Sequence, residues 1–167
     1  NGLPVFVVGL SMGGSITLNL AARFNDIVKG AVSINAPALF LGSDMAGLLC
    51  DPNAPARIPG IGSDIKAPGA VELAYREVPV GRLKEGHLLF GLTTNLLPKI
   101  TCPITVIQSR EDHVVPARNA LDIVNSLTAC DHVRLIWLND SYHVATLDND
   151  KDEIVTHAGE FFRFLLA

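Results

Sequence analysis

Polar and apolar positions divide the chain into short buried strands and amphipathic helices. The run Val5–Leu10 holds no polar side chain, which is typical of a strand covered on both faces of a parallel sheet. In Met12–Asn25 the apolar residues recur every three or four positions, as on the buried side of a helix. Because a mostly apolar run, Ile27–Ile34, comes next, this part of the chain predicts a strand–helix–strand unit with parallel strands.

The same alternation returns after Pro103. Two strands and two helices are predicted there: Ile104–Ser109, Pro116–Leu127, Val133–Leu138 and Asp148–Leu166. Acidic residues open the last helix, as the helix dipole favours, and we expect Asp148 to cap it. Strands that alternate with helices in this way predict an α/β fold, in which helices cover both faces of one parallel sheet.

A long irregular stretch, rich in proline and glycine, interrupts this alternation from Asn35 to about Pro98. Only weak helical patterns occur in it, near Val71–Arg76 and Arg82–Leu97. A loop of this length inside a compact domain is usually functional. We therefore predict that residues 37–98 form a lid, and we call them the lid segment.

The lid segment divides the predicted core into two parts, residues 1–36 and residues 99–167. Leucine and phenylalanine are frequent near Leu88–Leu97, within the lid segment. These side chains either accommodate an alkyl chain or pack the lid down onto the core, and the sequence favours neither.

Composition excludes several classes of protein. The 167 residues carry a formal net charge of -4 without a basic cluster, which argues against nucleic acid and anionic membrane surfaces as main partners. No apolar run approaches the roughly 18 residues of a membrane span. Cys50, Cys102 and Cys130 have no metal-type spacing, so we expect free thiols in a reducing cytoplasm and no metal site.

The polar residue at the end of the first strand suggests chemistry. Gly9-Leu10-Ser11-Met12-Gly13 is a G-x-S-x-G sequence between a strand and a helix, which is the context of a nucleophile elbow. Small residues at Gly9 and Gly13 would allow a sharp turn that exposes the Ser11 hydroxyl at the carboxyl edge of the sheet. The N–H of Met12 would then face an oxyanion. The alternative is a glycine-rich turn in which Ser11 only caps the helix.

A serine hydroxyl needs a base to take its proton, and the base needs an acid to orient it. Asp112 follows the strand Ile104–Ser109 and is the candidate acid, with Glu111 as its rival. His143 follows the last strand and is the candidate base. The other histidines fit less well, since they lie in the lid segment, beside the acid, before the last strand or within the last helix: His87, His113, His132 and His157.

Three stretches, "VVGLSMGG", "CPITVIQSREDHVVP" and "SYHVATLD", make the chain resemble the α/β-hydrolase superfamily. More narrowly, it resembles the bacterial carboxylesterases and monoacylglycerol lipases along essentially its whole length. The resemblance implies a serine hydrolase that cleaves short- to medium-chain acyl esters through an acyl-enzyme. It assigns Ser11 as nucleophile, Asp112 as acid, His143 as base and Met12 as one oxyanion donor. The reaction that it implies requires no metal or organic cofactor.

The resemblance also implies an N-terminal half of the sheet before the nucleophile strand, with a loop that carries a second oxyanion donor. We expect this half to be absent from the chain and to come from the same protein or a partner chain, because Val5–Leu10 looks like a central strand. Two alternatives remain. One is a thioesterase, amidase or carbon–carbon bond hydrolase on the same fold, and the other is a non-catalytic module that binds a small ligand under the lid.

Overall fold

A computed structural model describes residues 2–38 and 43–167, so residues 39–42 of the lid segment lie outside the described residues. The strands and α-helices, in chain order, are β1 (Val5–Leu10), α1 (Met12–Arg23), β2 (Val28–Ile34), α2 (Ser43–Cys50), β3 (Arg57–Pro59), β4 (Glu77–Pro79), α3 (Val80–Leu96), β5 (Ile104–Ser109), α4 (Arg118–Ser126), β6 (Val133–Leu138) and α5 (Lys151–Leu166). Short 3₁₀ turns follow α3 and precede α5, at Leu97–Lys99 and Ala145–Leu147.

Four strands form a parallel sheet in the order β1-β2-β5-β6. Backbone hydrogen bonds continue past the strand ends at the carboxyl edge of this sheet. The N–H of Ser11 donates to the carbonyl oxygen of Ile34 at 2.8 Å, and the N–H of Asn35 donates to that of Ile107 at 2.9 Å. The loops that follow the strands therefore begin side by side, where ligands of such sheets bind.

Helices cover both faces of the sheet, as the sequence predicts. Helices α1 and α4 pack on one face, in a cluster that includes the buried residues Leu18, Ala21, Ala31, Ile104, Val106 and Ile123. Helix α5 packs on the other face, in a cluster that includes Val32, Ile34, Ile107, Leu138, Ile154 and Phe161. Because residues of β2 and β5 alternate between the two clusters, both strands are buried on both sides. This confirms the α/β fold.

The lid segment holds more regular structure than its sequence indicates. Helix α2 and the antiparallel pair β3–β4 are unpredicted, and each of these strands is only three residues long. The weak pattern at Arg82–Leu97 corresponds to α3, which begins two residues earlier at Val80. The pattern near Val71–Arg76 was misleading, because this stretch contains no helix and the side chains of Val71 and Leu73 are exposed.

Strand β1 lies at one edge of the described sheet. It pairs with β2 on one side, and no other described strand pairs with it. Val5 and Val8 on this strand are 42% and 48% exposed. The prediction of a strand without a partner on its second edge therefore agrees with the described residues.

Candidate active site

Ser11 occupies a strained turn between β1 and α1. Its φ of 55° and ψ of -124° fall in a region that residues other than glycine rarely adopt. The turn is held in place because the Ser11 N–H donates to Ile34 and the Gly14 N–H donates to the Ser11 carbonyl oxygen, both at 2.8 Å. The same bonds hold the hydroxyl group at the carboxyl edge of the sheet.

The steric need for glycine lies at Gly9 and Gly14 rather than at Gly9 and Gly13. A Cβ atom at Gly9 would collide with the carbonyl group of Gly13, and one at Gly14 would lie 2.8 Å from the Cβ of Ala36. A Cβ atom at Gly13 would meet no heavy atom of the described residues within 4 Å. The described residues around Gly13 thus give no steric reason for a small residue there, and its part in the elbow stays a prediction.

Ser11, His143 and Asp112 form one chain of hydrogen bonds. The Nε2 of His143 lies 2.8 Å from the Ser11 Oγ, and its Nδ1 lies 2.9 Å from Asp112 Oδ2. A carboxylate only accepts hydrogen bonds, so Nδ1 carries the proton and Nε2 accepts from the Ser11 hydroxyl. The side chains of His143 and Asp112 are only 5% and 0% exposed, which shields this arrangement from water.

The loop after β5, residues 110–117, fixes the Asp112 carboxylate. Its Oδ1 accepts hydrogen bonds from the backbone N–H groups of Val114 and Val115 at 2.9 and 2.8 Å. Its Oδ2 accepts from the Gln108 side chain at 3.2 Å. These donors leave the carboxylate one orientation, in which it faces the His143 ring.

The rival carboxylate, Glu111, points elsewhere. Its Oε1 lies 2.9 Å from the Nζ of Lys66, and its side chain is 51% exposed. Lys66 also pairs with Asp140 at 3.1 Å. The hydrogen bonds that Lys66 donates to Glu111 and to Asp140 raise the pKa of its ammonium group. Glu111 thus takes part in a surface ion cluster that joins the lid segment to the core.

Met12 lies where an oxyanion donor is expected. It is the first residue of α1, and the first N–H groups of a helix have no acceptor within the helix. The helix dipole adds partial positive charge at this N–H group, beside Ser11.

Two of the remaining histidines are accounted for by ordinary contacts. His132 stacks on Phe164 with ring centroids 5.3 Å apart, and His157 lies 3.5 Å from Glu153 within α5. Neither contact involves Ser11, His143 or Asp112.

Asn35 is a residue of the site that sequence reasoning missed. It is fully buried, follows β2 and has a φ of 45°, a conformation that asparagine tolerates better than most residues. Its Nδ2 donates to the carbonyl oxygen of His143 at 2.8 Å and to Ser109 Oγ at 3.0 Å. Its Oδ1 accepts from the Ser109 N–H at 2.7 Å. Asn35 thereby ties the ends of β2 and β5 to the loop that carries His143.

Asp148 does not cap the last helix, which corrects the sequence prediction. Its backbone is extended, and α5 begins at Lys151. Its carboxylate instead accepts four backbone N–H groups, each at 2.8 Å, from Lys66, Ala67, Tyr142 and Asn149. Burial alone would raise the pKa of Asp148, but these hydrogen bonds lower it below the ordinary 3.8. We call residues 139–150, between β6 and α5, the histidine loop, and Asp148 joins this loop to the lid segment.

A cavity of about 240 Å³ opens beside Ser11. Mostly apolar side chains line it, from the core and the lid segment alike: Met12, Pro37, Met45, Ile61, Leu83, Phe90, Val114, Val115 and Pro116. His87 also lines the cavity, and its buried Nε2 has no hydrogen-bond partner among the described residues. The side chains near Leu88–Leu97 divide between roles, since Phe90 lines the cavity, Leu97 is buried in the core and Leu88 is 69% exposed.

No group of three or more His, Cys, Asp or Glu side chains in the described residues is arranged to hold a metal ion. Among the same residues, no helix combines the length and the apolar character that crossing a membrane requires.

Comparison with known proteins adds a family match over most of the chain. Residues 1–157 match the model of the alpha/beta hydrolase family. The chain is 42% identical to a thermostable monoacylglycerol lipase of Bacillus sp. (strain H-257) over 158 residues, which cover 95% of this chain and 62% of the relative. It is 29% identical to a carboxylesterase of Bacillus subtilis (strain 168) over 162 residues, which cover 94% of this chain and 63% of that relative.

A solved structure is also similar. It belongs to a study of LipS and LipT, two metagenome-derived lipolytic enzymes, and it matches with a TM-score of 0.91 and 46% sequence identity. The match covers 96% of this chain and 65% of the solved chain. The chain therefore spans a little under two thirds of the length of each of these three relatives.

Proposed function

Because this chain belongs to the alpha/beta hydrolase family, we propose that it carries the catalytic residues of a serine hydrolase that cleaves carboxylic esters. The observation that carries the proposal is the chain of hydrogen bonds from Ser11 through His143 to Asp112, at 2.8 and 2.9 Å. The two curated relatives, a monoacylglycerol lipase and a carboxylesterase, support ester hydrolysis as the reaction.

In the proposed reaction, the Nε2 of His143 takes the proton of Ser11 while Oγ attacks the ester carbonyl carbon. The tetrahedral intermediate collapses as His143 gives this proton to the leaving alcohol, and an acyl-enzyme remains. A water molecule, deprotonated by His143, then releases the acid and restores Ser11. Asp112 holds Nδ1 protonated and stabilises the imidazolium that forms in each half-reaction.

The negative charge on the carbonyl oxygen needs two donors in the right place. We propose the N–H of Met12 as the first donor, aided by the N-terminus of α1. For the second donor we propose a loop from the part of the relatives that lies outside the matched region.

The same outside part would complete the sheet. Strand β1 presents an unpaired edge among the described residues, and Val5 and Val8 are 42% and 48% exposed there. An open apolar edge favours pairing with another strand. We propose that this edge receives a strand from the remaining part of the fold, supplied by the same protein or by a partner chain.

The cavity beside Ser11 suggests the substrate class. Its volume of about 240 Å³ and its apolar lining suit the hydrocarbon part of a short- to medium-chain ester. Leu83 and Phe90 of the lid segment contribute to this lining. We propose that residues 37–98 act as a lid over a core formed by residues 1–36 and 99–167.

For the cellular location we propose the cytoplasm. Cys50, Cys102 and Cys130 are free thiols, and burial raises the pKa of the Cys102 thiol to about 11, which makes it unreactive.

The test is active-site labelling of the full-length protein with a fluorophosphonate probe, followed by turnover of p-nitrophenyl esters of increasing chain length. We expect labelling at Ser11, none in Ser11→Ala, and the highest kcat/KM on short or medium chains. A folded wild-type protein that is not labelled would favour a binding module. Faster turnover of matched thioesters or amides would replace the ester assignment with one of the other reactions of this fold.

A further inference from the structure

Asp64, in the lid segment, contacts both catalytic loops of the core through its carboxylate. Its Oδ2 accepts hydrogen bonds from the backbone N–H groups of His143 at 3.0 Å and His113 at 3.3 Å. Its Oδ1 lies 2.8 Å from the Nδ1 of the His113 ring. The side chain of Asp64 is only 13% exposed. No part of the proposed reaction uses this carboxylate.

We propose that Asp64 is a positioning residue for the hydrolysis reaction, which holds the backbone of His143 where its ring reaches Ser11 and Asp112 at once. The inference rests on the proposed function, because it assigns a role to Asp64 only if His143 is the base. Asp64 contacts the peptide N–H of His143 and not the reacting atoms, so its effect on the rate would come through position.

The main chain of His143 is held from two sides. Asn35 donates to its carbonyl oxygen at 2.8 Å, and Asp64 accepts from its N–H at 3.0 Å. A histidine that must keep two ring hydrogen bonds of 2.8 and 2.9 Å tolerates little movement of its backbone. Displacement of a catalytic group by about 1 Å can lower the rate by about 100-fold.

The hydrogen bond between the His113 ring and the Asp64 carboxylate adds to this contact. Burial would raise the pKa of Asp64, but the hydrogen bond from the His113 ring and the two backbone N–H groups lower it. The same side-chain hydrogen bond raises the pKa of His113. His113 also contacts the edge of the Tyr142 ring, with centroids 4.3 Å apart, so the loop after β5 is joined to the histidine loop at this point.

The contact also makes the lid segment part of the catalytic geometry. The N–H of Val144 donates to the carbonyl oxygen of Asp64 at 3.1 Å, beside the bond from His143. Two residues further along the lid segment, the N–H of Lys66 donates to Asp148 of the histidine loop at 2.8 Å. A lid that moves away at Asp64 would therefore release the N–H of His143 and leave its main chain held only through the carbonyl oxygen by Asn35.

The experiment compares Asp64→Ala, Asp64→Asn and a control, Glu77→Ala, in the full-length protein. Glu77 is another carboxylate of the lid segment, 62% exposed and paired with Arg57 at 3.9 Å. Measured quantities are kcat and KM for one p-nitrophenyl ester, the rate of fluorophosphonate labelling, and thermal unfolding. Asp64→Leu, which also lacks an acceptor, replaces Asp64→Ala if that variant does not fold.

We expect Asp64→Ala to lower kcat and the labelling rate about 10- to 100-fold while KM changes less than about threefold. Asp64→Asn should restore most of this loss, because one amide oxygen still accepts from both backbone N–H groups. Glu77→Ala should match the wild type. If folded Asp64→Ala labels within about twofold of wild type, or if Asp64→Asn is as slow as Asp64→Ala, the inference is wrong. A wild type that shows no labelling would instead overturn the proposed function.

Discussion

The substitution Asp148→Asn tests whether a carboxylate, and not merely a polar side chain, holds the histidine loop to the lid segment. Asp148 is 1% exposed, and each of its two oxygens accepts two backbone N–H groups. Asparagine has nearly the same shape but only one oxygen. Its NH₂ group would face two N–H donors in either orientation, so we expect Asn to be a poor replacement.

The structure gives the size of the effect. A hydrogen bond to a charged group contributes about 1.5–3 kcal/mol, and Asp148→Asn turns two of the four into contacts between donors. The expected loss in the free energy of unfolding is therefore about 3–6 kcal/mol. This is a large share of the roughly 5–15 kcal/mol that holds a typical domain folded.

The pH dependence of the stability provides a second test with the same substitution. Because folding lowers the pKa of Asp148, its carboxylate stabilises the native state fully when the pH is above its ordinary pKa of 3.8. This contribution is lost as the pH falls through the lowered pKa. The difference in stability between wild type and Asp148→Asn should therefore be full at neutral pH and shrink below 3.8.

The assay is urea unfolding of the full-length protein at several pH values, with Asp152→Asn as the control. Asp152 is exposed in the first turn of α5, where the helix dipole makes its charge worth less than about 1 kcal/mol. A loss below about 1 kcal/mol in Asp148→Asn at neutral pH would refute the reasoning. So would a loss that stays constant across the acid range.

Three further predictions concern other parts of the site. Asp112→Asn should lower kcat by about 10⁴-fold, as loss of the carboxylate does in other serine hydrolases. Glu111→Gln should change kcat less than about threefold. A large drop in kcat only in Glu111→Gln would reverse the assignment of the acid. Ser11→Gly and Ser11→Ala should both abolish turnover. In urea unfolding, Ser11→Gly should be about 1 kcal/mol more stable than Ser11→Ala, because glycine relieves the strained φ. Equal stabilities of the two variants would contradict strain at the elbow. His87→Leu removes a buried nitrogen that has no hydrogen-bond partner among the described residues, so calorimetry should show a melting temperature about 2–4 °C higher. A lower melting temperature would mean that this nitrogen has a partner elsewhere in the protein.

The core was predictable because its signals are local. Val5–Leu10, Ile104–Ser109 and Val133–Leu138 are strands with the predicted bounds. Each is a short run rich in β-branched and apolar residues, and glycine, proline or polar residues mark its ends. The helix bounds were less accurate: α4 begins at Arg118, because the proline two residues before it starts a turn and not the helix itself.

The lid segment was not predictable in this way. Strands β3 and β4 have three residues each and pair across a gap of 17 residues, so neither carries a periodic pattern of its own. Helix α3 has apolar residues all round, since Phe90 lines the cavity, Leu97 just beyond its end is buried in the core and Leu88 is exposed. Its sequence therefore lacks the one-sided pattern by which an amphipathic helix is found.

The candidate site shows the same division between local and distant signals. Ser11, Asp112 and His143 could be proposed together from the sequence because each follows a strand and has a side chain suited to proton transfer. Asn35, Asp64 and Asp148 could not be assigned their contacts, because most of their partners lie dozens of residues away in the chain. The amide of Asn35 and the carboxylates of Asp64 and Asp148 bind backbone groups of the histidine loop or the lid segment. Which groups they bind depends on which segments the fold brings together, and none of the three takes part in the proposed reaction. If His143 is the base, a search for reactive side chains would find it without finding Asn35 and Asp64, which bind its main chain.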